Sequence, residues 1–321
     1  MRKPLRSFRP SIVISSFHLG RVRMRSIVAC GSIVAVALTV GCATFSQRGP
    51  VPESVERCRQ LSREGIDAIQ RGDVHHAERL LNAAVDQCPV DVDARRHYGE
   101  VLWQRGARSA AIEQIEAARR LAPRDTSLAI RVGQMMFDSG DSRAAYARAN
   151  EVLDIDPKLP SAWLLRGRAA AALGDTDQAL GDYHRALGLL PNDRETMYEI
   201  AELYRQLGRP QRALAALHGL ADTFPPGEDP PRLYYLKGLA LVALERYDDA
   251  VDEYSQSNRR GQPSAEVYAR IAEAEYLAGR PRLASVAADA ALELDPAHGL
   301  ARQISQDIRV AQQSGPQPIR Q

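Results

Sequence analysis

The sequence predicts an all-α solenoid built from about seven stacked helix hairpins and ending in a C-terminal capping helix. Three observations predict it: a proline that recurs every 34 residues, small residues that recur at the same interval, and apolar residues spaced by three and four between them. The recurring prolines are Pro89, Pro123, Pro157, Pro191 and Pro225. In an array of this kind each unit buries its apolar face only by stacking on its neighbours, so the 321 residues hold one extended array more readily than two ordinary domains.

Small residues within each repeat mark the places where two helices meet and where the chain turns. With the proline counted as position 32, glycine or alanine recurs at position 8, glycine at position 15 and alanine at position 20. The clearest examples are Gly99, Gly133 and Gly167 at position 8, Gly106, Gly140 and Gly174 at position 15, and Ala111, Ala145 and Ala179 at position 20. Glycine at position 15 suits a tight turn, because it adopts a left-handed backbone at little cost. Proline at position 32 ends the second helix, because it cannot continue one.

The positions of the recurring prolines also give the bounds of the array and of its C-terminal helix. A three-residue insertion in TFPPGEDPPR, residues 223–232, delays repeat six, and Pro296 ends repeat seven. We therefore predict the solenoid over residues 56–298. The segment GLARQISQDIRVAQQ, residues 299–313, has no second half and is predicted to be the capping helix that such arrays need. Residues 314–321 carry almost no apolar residues and are predicted to be a disordered tail.

The fullest repeat, SAWLLRGRAAAALGDTDQALGDYHRALGLLP, resembles the tetratricopeptide repeat. Its matching residues, at family positions 4, 8, 15, 20, 24, 27 and 32, are Trp163, Gly167, Gly174, Ala179, Tyr183, Ala186 and Pro191. The resemblance covers about residues 58–298. It implies a right-handed superhelical solenoid whose first helices line a concave groove for peptides or helices of partner proteins. The family's carboxylate clamp, Lys at position 5 and Asn at position 9, is missing, so recognition of chaperone-type C-terminal tails is not expected.

The resemblance also places first-helix positions 2, 5, 9, 12 and 13 in the groove. The partner-groove residues expected on this basis are Arg96, Glu100, Trp103, Gln104, Gln134, Phe137, Arg168, Tyr198, Glu202, Arg205, Gln206 and Tyr235. Aromatic residues and arginines dominate binding hot spots. We therefore expect a protein–protein interaction scaffold or assembly factor. The alternative is an accessory subunit that binds cell-wall glycan or supports an envelope enzyme.

Residues 1–41 are predicted to be a signal peptide. The basic segment RVRMR precedes IVACGSIVAVALTV, residues 27–40, which is uncharged and too short for a membrane span of about 20 residues. The ending LTVGC resembles the bacterial lipobox, which implies cleavage after Gly41, a lipid on Cys42 and a tether over residues 42–55. A non-lipidated secretory peptide or a membrane-anchored helix is the alternative. Met24 starts a compact signal by itself, so residues 1–23 are interpreted as an extension of the gene model.

The expected location is the cell envelope, with lipid attachment to the membrane. By resemblance to Gram-negative lipoproteins, Ala43 after the lipidated cysteine implies the outer membrane, facing the periplasm. After residue 41 the chain has 35 basic and 40 acidic residues, which argues against nucleic acid as a partner. The expected protein partner belongs to pilus, secretion or cell-wall machinery.

Catalytic, metal and cofactor sites are not expected, and the chain is predicted not to be an enzyme. His75 and His76 are adjacent and so point to different helix faces, which does not suit a shared metal. His97 and Glu100 form a single His-x-x-Glu, whereas di-metal bundles need two such pairs and further carboxylates.

Two cysteines of the first repeat are predicted to form a disulfide. Cys58 stands at position 1, where the first helix starts, and Cys88 at position 31, where the second helix ends. The helices of a hairpin run antiparallel, so these two positions lie side by side, and the compartment outside the cytosol is oxidising. Two reduced, half-buried cysteines are the alternative.

Overall fold

The computed structural model describes residues 53–313, in which every regular element is an α-helix. The helices, in chain order, are α1 (Glu53–Gln70), α2 (Val74–Gln87), α3 (Val92–Gln104), α4 (Arg108–Leu121), α5 (Thr126–Asp138), α6 (Ser142–Ile155), α7 (Pro160–Ala172), α8 (Thr176–Leu189), α9 (Arg194–Gln206), α10 (Pro210–Ala221), α11 (Pro231–Val242), α12 (Tyr247–Arg260), α13 (Ala265–Leu277), α14 (Pro281–Leu294) and α15 (Gly299–Gln313). Seven hairpins and a final single helix confirm the predicted all-α repeat solenoid.

Stacking follows the order of the chain. Each odd-numbered helix up to α13 packs on the even-numbered helix after it, and that helix packs on the first helix of the next repeat. Several first helices also touch each other directly, namely α1 with α3, α5 with α7, and α7 with α9. The first helices therefore form a shared surface, which we call the inner face.

The turn between the two helices of a repeat has a left-handed residue in every hairpin. Glycine occupies it in six repeats, at Gly72, Gly106, Gly140, Gly174, Gly208 and Gly279, with φ between 62° and 91°. Repeat six has Glu245 there instead, at φ 60°. A non-glycine residue pays a steric cost in this region, so the repeat geometry determines the turn even where the sequence lacks glycine.

Helix starts are capped by aspartates that the sequence analysis did not single out. Asp73, Asp141 and Asp175 each accept a backbone N–H bond at the start of a second helix. Asp91 and Asp193 do the same for the first helices α3 and α9. Each cap satisfies a backbone donor that the helix itself leaves free.

The first helix of the described chain includes residues 53–55, which the sequence analysis assigned to the tether. Helix α1 begins at Glu53, so the last residues assigned to the tether are helical. Glu53 and Glu56 in the first turn favour this early start, because carboxylates stabilise the positive end of a helix. At the other end, α15 packs on α13 and α14, and its Ile304 and Ile308 cover Ala284 and Ala288. The predicted signal peptide, Cys42 and the predicted tail over residues 314–321 lie outside the described residues.

Glycine at position 8 allows the second helix to pack closely on the first. A Cβ placed on Gly238 would stand 2.4 Å from Cε1 of Tyr254, whose side chain is fully buried. The same holds at Gly167, where the distance to Cε1 of Tyr183 would be 2.6 Å.

Within residues 53–313, no helix is both long and apolar enough to cross a bilayer.

Replacing Gly238 by alanine is expected to lower the free energy of unfolding by about 1–3 kcal/mol, because a buried ring must move to admit the new methyl group. Gly181 in α8 is the matched control, since no atom lies within 4 Å of its added Cβ. Gly181→Ala should instead gain about 0.5–1 kcal/mol through better helix propensity. Urea unfolding followed by circular dichroism measures both changes, and a shift of the same sign in the two variants would contradict this account.

Candidate interaction surface

A cavity of about 230 Å³ lies on the inner face, where α5, α7 and α9 meet. It is lined by Phe137, Arg168, Ala171, Ala172, Tyr183, Glu199, Glu202, Leu203 and Gln206. We call it the inner recess. It combines apolar walls with a polar rim, which is the composition expected of a small binding site.

The recess exists because repeat four has two alanines where its neighbours have larger residues. Ala171 and Ala172 end the first helix α7, whereas the equivalent positions hold Phe137 and Asp138 in repeat three. In repeat five those positions hold Arg205 and Gln206. The short side chains leave the space between α5 and α9 open above α7.

Arg168 crosses from repeat four to repeat five along one side of the recess. Its Nε and Nη2 donate to Oε1 of Glu199 at 2.9 and 2.7 Å, and Nη2 also donates to Glu195 at 2.7 Å. Burial lowers the pKa of Arg168, but the two carboxylates outweigh burial and hold it above its usual value. Arg168 therefore forms ion pairs between repeats four and five, and its positive charge lies at the edge of the recess.

Glu202 and Arg205 form a second ion pair at the rim. Arg205 donates from Nε and Nη2 to the two oxygens of Glu202 at 2.9 and 2.6 Å. These hydrogen bonds hold the pKa of Glu202 below its usual range despite partial burial. Glu202 therefore remains ionised at neutral pH.

The predicted groove residues divide into several groups. Four of them meet at the recess, namely Phe137, Arg168, Glu202 and Gln206, and Arg205 lies beside it through its pairing with Glu202. Tyr198 is 8% exposed beneath the guanidinium of Arg232, and so belongs to the core.

Three predicted residues of repeats two and six serve contacts between repeats, namely Glu100, Trp103 and Tyr235. Glu100 accepts two bonds of 2.6 Å from Arg131 of the next repeat. Trp103 lies beneath the guanidinium groups of Arg108 and Arg131. Tyr235 donates to Oε1 of Glu266 at 2.9 Å, again across a repeat boundary.

The three remaining predicted residues have no part in the recess. Arg96 pairs with Asp93 of its own helix at 2.9 Å. Gln104 is exposed and Gln134 is half-buried.

Sequence reasoning missed five residues of the recess: Ala171, Ala172, Tyr183, Glu199 and Leu203. The two alanines stand at groove positions 12 and 13, so their small size was the available signal. Tyr183 is a matching residue of the repeat at position 24, and this position, like those of Glu199 and Leu203, lies outside the groove pattern.

The predicted disulfide residues are free thiols in the structure, and they lie close together. Cys58 is buried, and its thiol lies within weak hydrogen-bonding distance of two acceptors, the carbonyl oxygen of Ala84 at 3.6 Å and Oδ2 of Asp91 at 3.8 Å. Burial, followed by the neighbouring thiol of Cys88 and the carboxylate of Asp91, raises the pKa of Cys58 to about 12. The predicted pairing of Cys58 with Cys88 remains a prediction.

Two of the histidines considered as ligands, His76 and His97, have basic neighbours. A ring nitrogen of His76 lies 3.2 Å from Arg79. Burial and the charge of Arg96 lower the pKa of His97. Among residues 53–313, no group of three or more His, Cys, Asp or Glu side chains is placed to hold a metal ion.

The fold and the recess define a class: helical repeat proteins that present an extended inner surface for other molecules. Tetratricopeptide repeat models match residues 62–126 and 137–194, residues 170–240, and residues 231–259, which together exceed half of the sequence. The chain belongs to the tetratricopeptide repeat family, whose members typically act as non-enzymatic scaffolds that bind protein partners.

Solved structures agree with this assignment at the level of the fold. A tetratricopeptide repeat protein from Parabacteroides merdae ATCC 43184 is 15% identical, with a TM-score of 0.63, over 79% of this chain and 99% of that one. The APC/C hetero-tetramer Cut9–Hcn1 is 16% identical, with a TM-score of 0.61, over 78% of this chain and 48% of that one. PilW, a widely conserved type IV pilus biogenesis factor, is 16% identical, with a TM-score of 0.56, over 62% and 91% of the two chains.

Proposed function

We propose that this protein is a lipid-anchored interaction scaffold of the cell envelope that holds a segment of a partner protein on its inner face. The observation that carries the proposal is the inner recess, which is the place on this face where α5, α7 and α9 leave an open cavity lined by Phe137 and Leu203. Apolar walls with arginine and carboxylate groups at the rim suit a protein segment, whose side chains offer both kinds of contact.

The packing of arginines on the Trp103 ring favours a protein segment over a glycan as the bound molecule. A sugar ring needs an open aromatic face to stack on. Two guanidinium groups, of Arg108 and Arg131, already lie over the Trp103 ring, 5.6 and 5.8 Å from its centre. A glycan would therefore have to displace both arginines.

The envelope location rests on the sequence of the leader. A basic segment, a short apolar core and LTVGC in direct succession support lipid attachment at Cys42. The likeness in fold to a type IV pilus biogenesis factor makes pilus machinery one candidate for the partner. Secretion and cell-wall machinery are the others.

Site-specific photo-crosslinking in living cells tests the proposed use of the inner face. A benzophenone amino acid replaces Phe137 in the recess, and in the control it replaces Ala215, an exposed residue of α10 that lines a separate cavity. We expect a defined protein to crosslink at position 137 and not at position 215, with its attached segment mapped by mass spectrometry. A crosslink at 215 alone, or none at 137, would show that the inner face is not the binding surface.

The lipid anchor is tested by exchanging the cysteines of the leader. Cys42→Ser should move the protein out of the membrane fraction or leave the precursor unprocessed, because stable attachment needs the acyl chains. Cys30→Ser is the matched control, since IVAC has almost no apolar core before it, and should change nothing. Cell fractionation with immunoblotting measures both, and an unchanged membrane fraction in Cys42→Ser would refute the anchor.

A further inference from the structure

Tyr183 brings a hydroxyl group from a second helix to the inner face. It belongs to α8, is 1% exposed, and its ring packs directly against Gly167 of α7. Glycine lets the ring pass beneath α7, so that Tyr183 lines the inner recess from below. Within residues 53–313 its hydroxyl has no hydrogen-bond partner. Burial and the carboxylate of Glu199 raise the pKa of Tyr183, so the hydroxyl stays protonated and uncharged, and its oxygen can accept a hydrogen bond.

Repeat six contains the same packing with a different outcome. Tyr254 packs on Gly238 in the same way, and its hydroxyl is buried with no hydrogen-bond partner among the described residues. At the position of Arg168, repeat six has Leu239, and at the position of Ala171 it has Val242. The recess above Tyr183 is therefore a property of repeat four and not of the repeat in general.

The walls of the recess are apolar, and carboxylates and guanidinium groups lie together at its rim. Phe137, the two alanines and Leu203 form the walls. Three carboxylates, of Glu195, Glu199 and Glu202, face two guanidinium groups, of Arg168 and Arg205. Both bonds from Arg168 to Glu199 use Oε1, so Oε2 of Glu199 has no hydrogen bond among the described residues.

We propose that the inner recess is an anchor pocket for one tryptophan or tyrosine side chain of the partner segment, next to a basic residue of that segment. The proposal rests on the proposed function and specifies the chemistry of its partner. An aromatic body matches the apolar walls, and its N–H or O–H group donates to the hydroxyl oxygen of Tyr183, since buried Trp and Tyr side chains require a polar partner. The neighbouring basic side chain donates to Oε2 of Glu199, which has no hydrogen bond among the described residues.

Peptide binding to the full chain in detergent tests the chemistry of the anchor. The probe is a short synthetic peptide of Gly, Ser and Ala with one central Trp between two Lys residues, carrying a fluorescein label. We expect fluorescence anisotropy to rank the Trp and Tyr peptides above the Phe peptide, and the Phe peptide above the Ala peptide. Exchanging Lys for Glu should weaken the Trp peptide at low salt. Equal binding of the Trp and Ala peptides would overturn the proposal.

Variants of the protein locate the binding in the recess. Tyr183→Phe keeps the ring on Gly167 and removes only the hydroxyl, so it should weaken the Trp peptide by about five- to tenfold and leave the Phe peptide unchanged. Tyr254→Phe removes the buried hydroxyl of repeat six and should change neither. Ala172→Leu fills the recess with a good helix former and should abolish binding of both peptides.

The outcomes separate this proposal from the proposed function. If the inner face crosslinks to a partner but Ala172→Leu and Tyr183→Phe bind the Trp peptide normally, the anchor pocket is wrong and the scaffold stands. If position 137 crosslinks to nothing, the scaffold proposal itself fails. Melting curves by circular dichroism accompany each variant, and Tyr183→Phe must melt within a few degrees of Tyr254→Phe for the comparison to count.

Discussion

Replacing Asp182 by alanine is expected to lower the free energy of unfolding by about 3–5 kcal/mol, because it leaves a partly buried guanidinium without its counter-ion. The Asp182 side chain is 2% exposed and accepts two bonds from Arg166, at 2.9 Å from Nε and 2.8 Å from Nη2. Gln178 donates to the same carboxylate at 2.8 Å. The hydrogen bond to Asp182 is the main reason why the pKa of Arg166 lies above its usual value.

The next repeat supplies the matched control. The positions of Arg166 and Asp182 are occupied in repeat five by Ile200 and Ala216, an apolar pair. Moving that pair one repeat back, as Arg166→Ile with Asp182→Ala, should recover most of the lost stability, since apolar residues often replace a buried ion pair without loss. Urea unfolding of the two variants measures the difference. A double variant as unstable as Asp182→Ala alone would show that the ion pair is not the cause.

Oxidation of Cys58 and Cys88 is expected to stabilise the first repeat by about 3 kcal/mol, the value for closing a loop of about 30 residues. The two thiols already lie side by side at the open end of the array, where repeat one has a neighbour on one side only. The electrons and protons of the thiols pass to a disulfide-containing oxidant by thiol–disulfide exchange, which yields the bridge and two thiols on the oxidant. The half-buried Cys88 is the more accessible of the two sulfurs.

The test compares the chain with Cys88→Ser in oxidising and reducing buffer. The unaltered chain should lose about 3 kcal/mol on reduction, whereas Cys88→Ser should be equally stable in both buffers. Urea unfolding gives the free energies, and thiol titration after denaturation without reductant counts the free cysteines. Two free thiols at Cys58 and Cys88 in protein purified from cells without reductant would end the disulfide prediction.

The repeating part of the fold was determined by the sequence alone. The 34-residue interval predicts the number of hairpins, the place of each turn and the final helix, because these features depend on residues close together in one repeat. Local signals were also present for the aspartate caps, since Asp73, Asp141 and Asp175 directly precede the second helices. At Glu245 the sequence signal is missing, and packing of the repeat alone holds the left-handed turn.

The candidate site was decided by the tertiary structure. The family pattern identified Phe137, Arg168 and Glu202, but it could not tell that Tyr183 reaches the inner face or that Arg168 is already bound to Glu199. Those contacts join residues of different helices, in part from neighbouring repeats, and they depend on which side chains are short enough to leave space. Local patterns specify helices and turns, whereas a recess is the volume left over when several side chains pack, which no single position reveals.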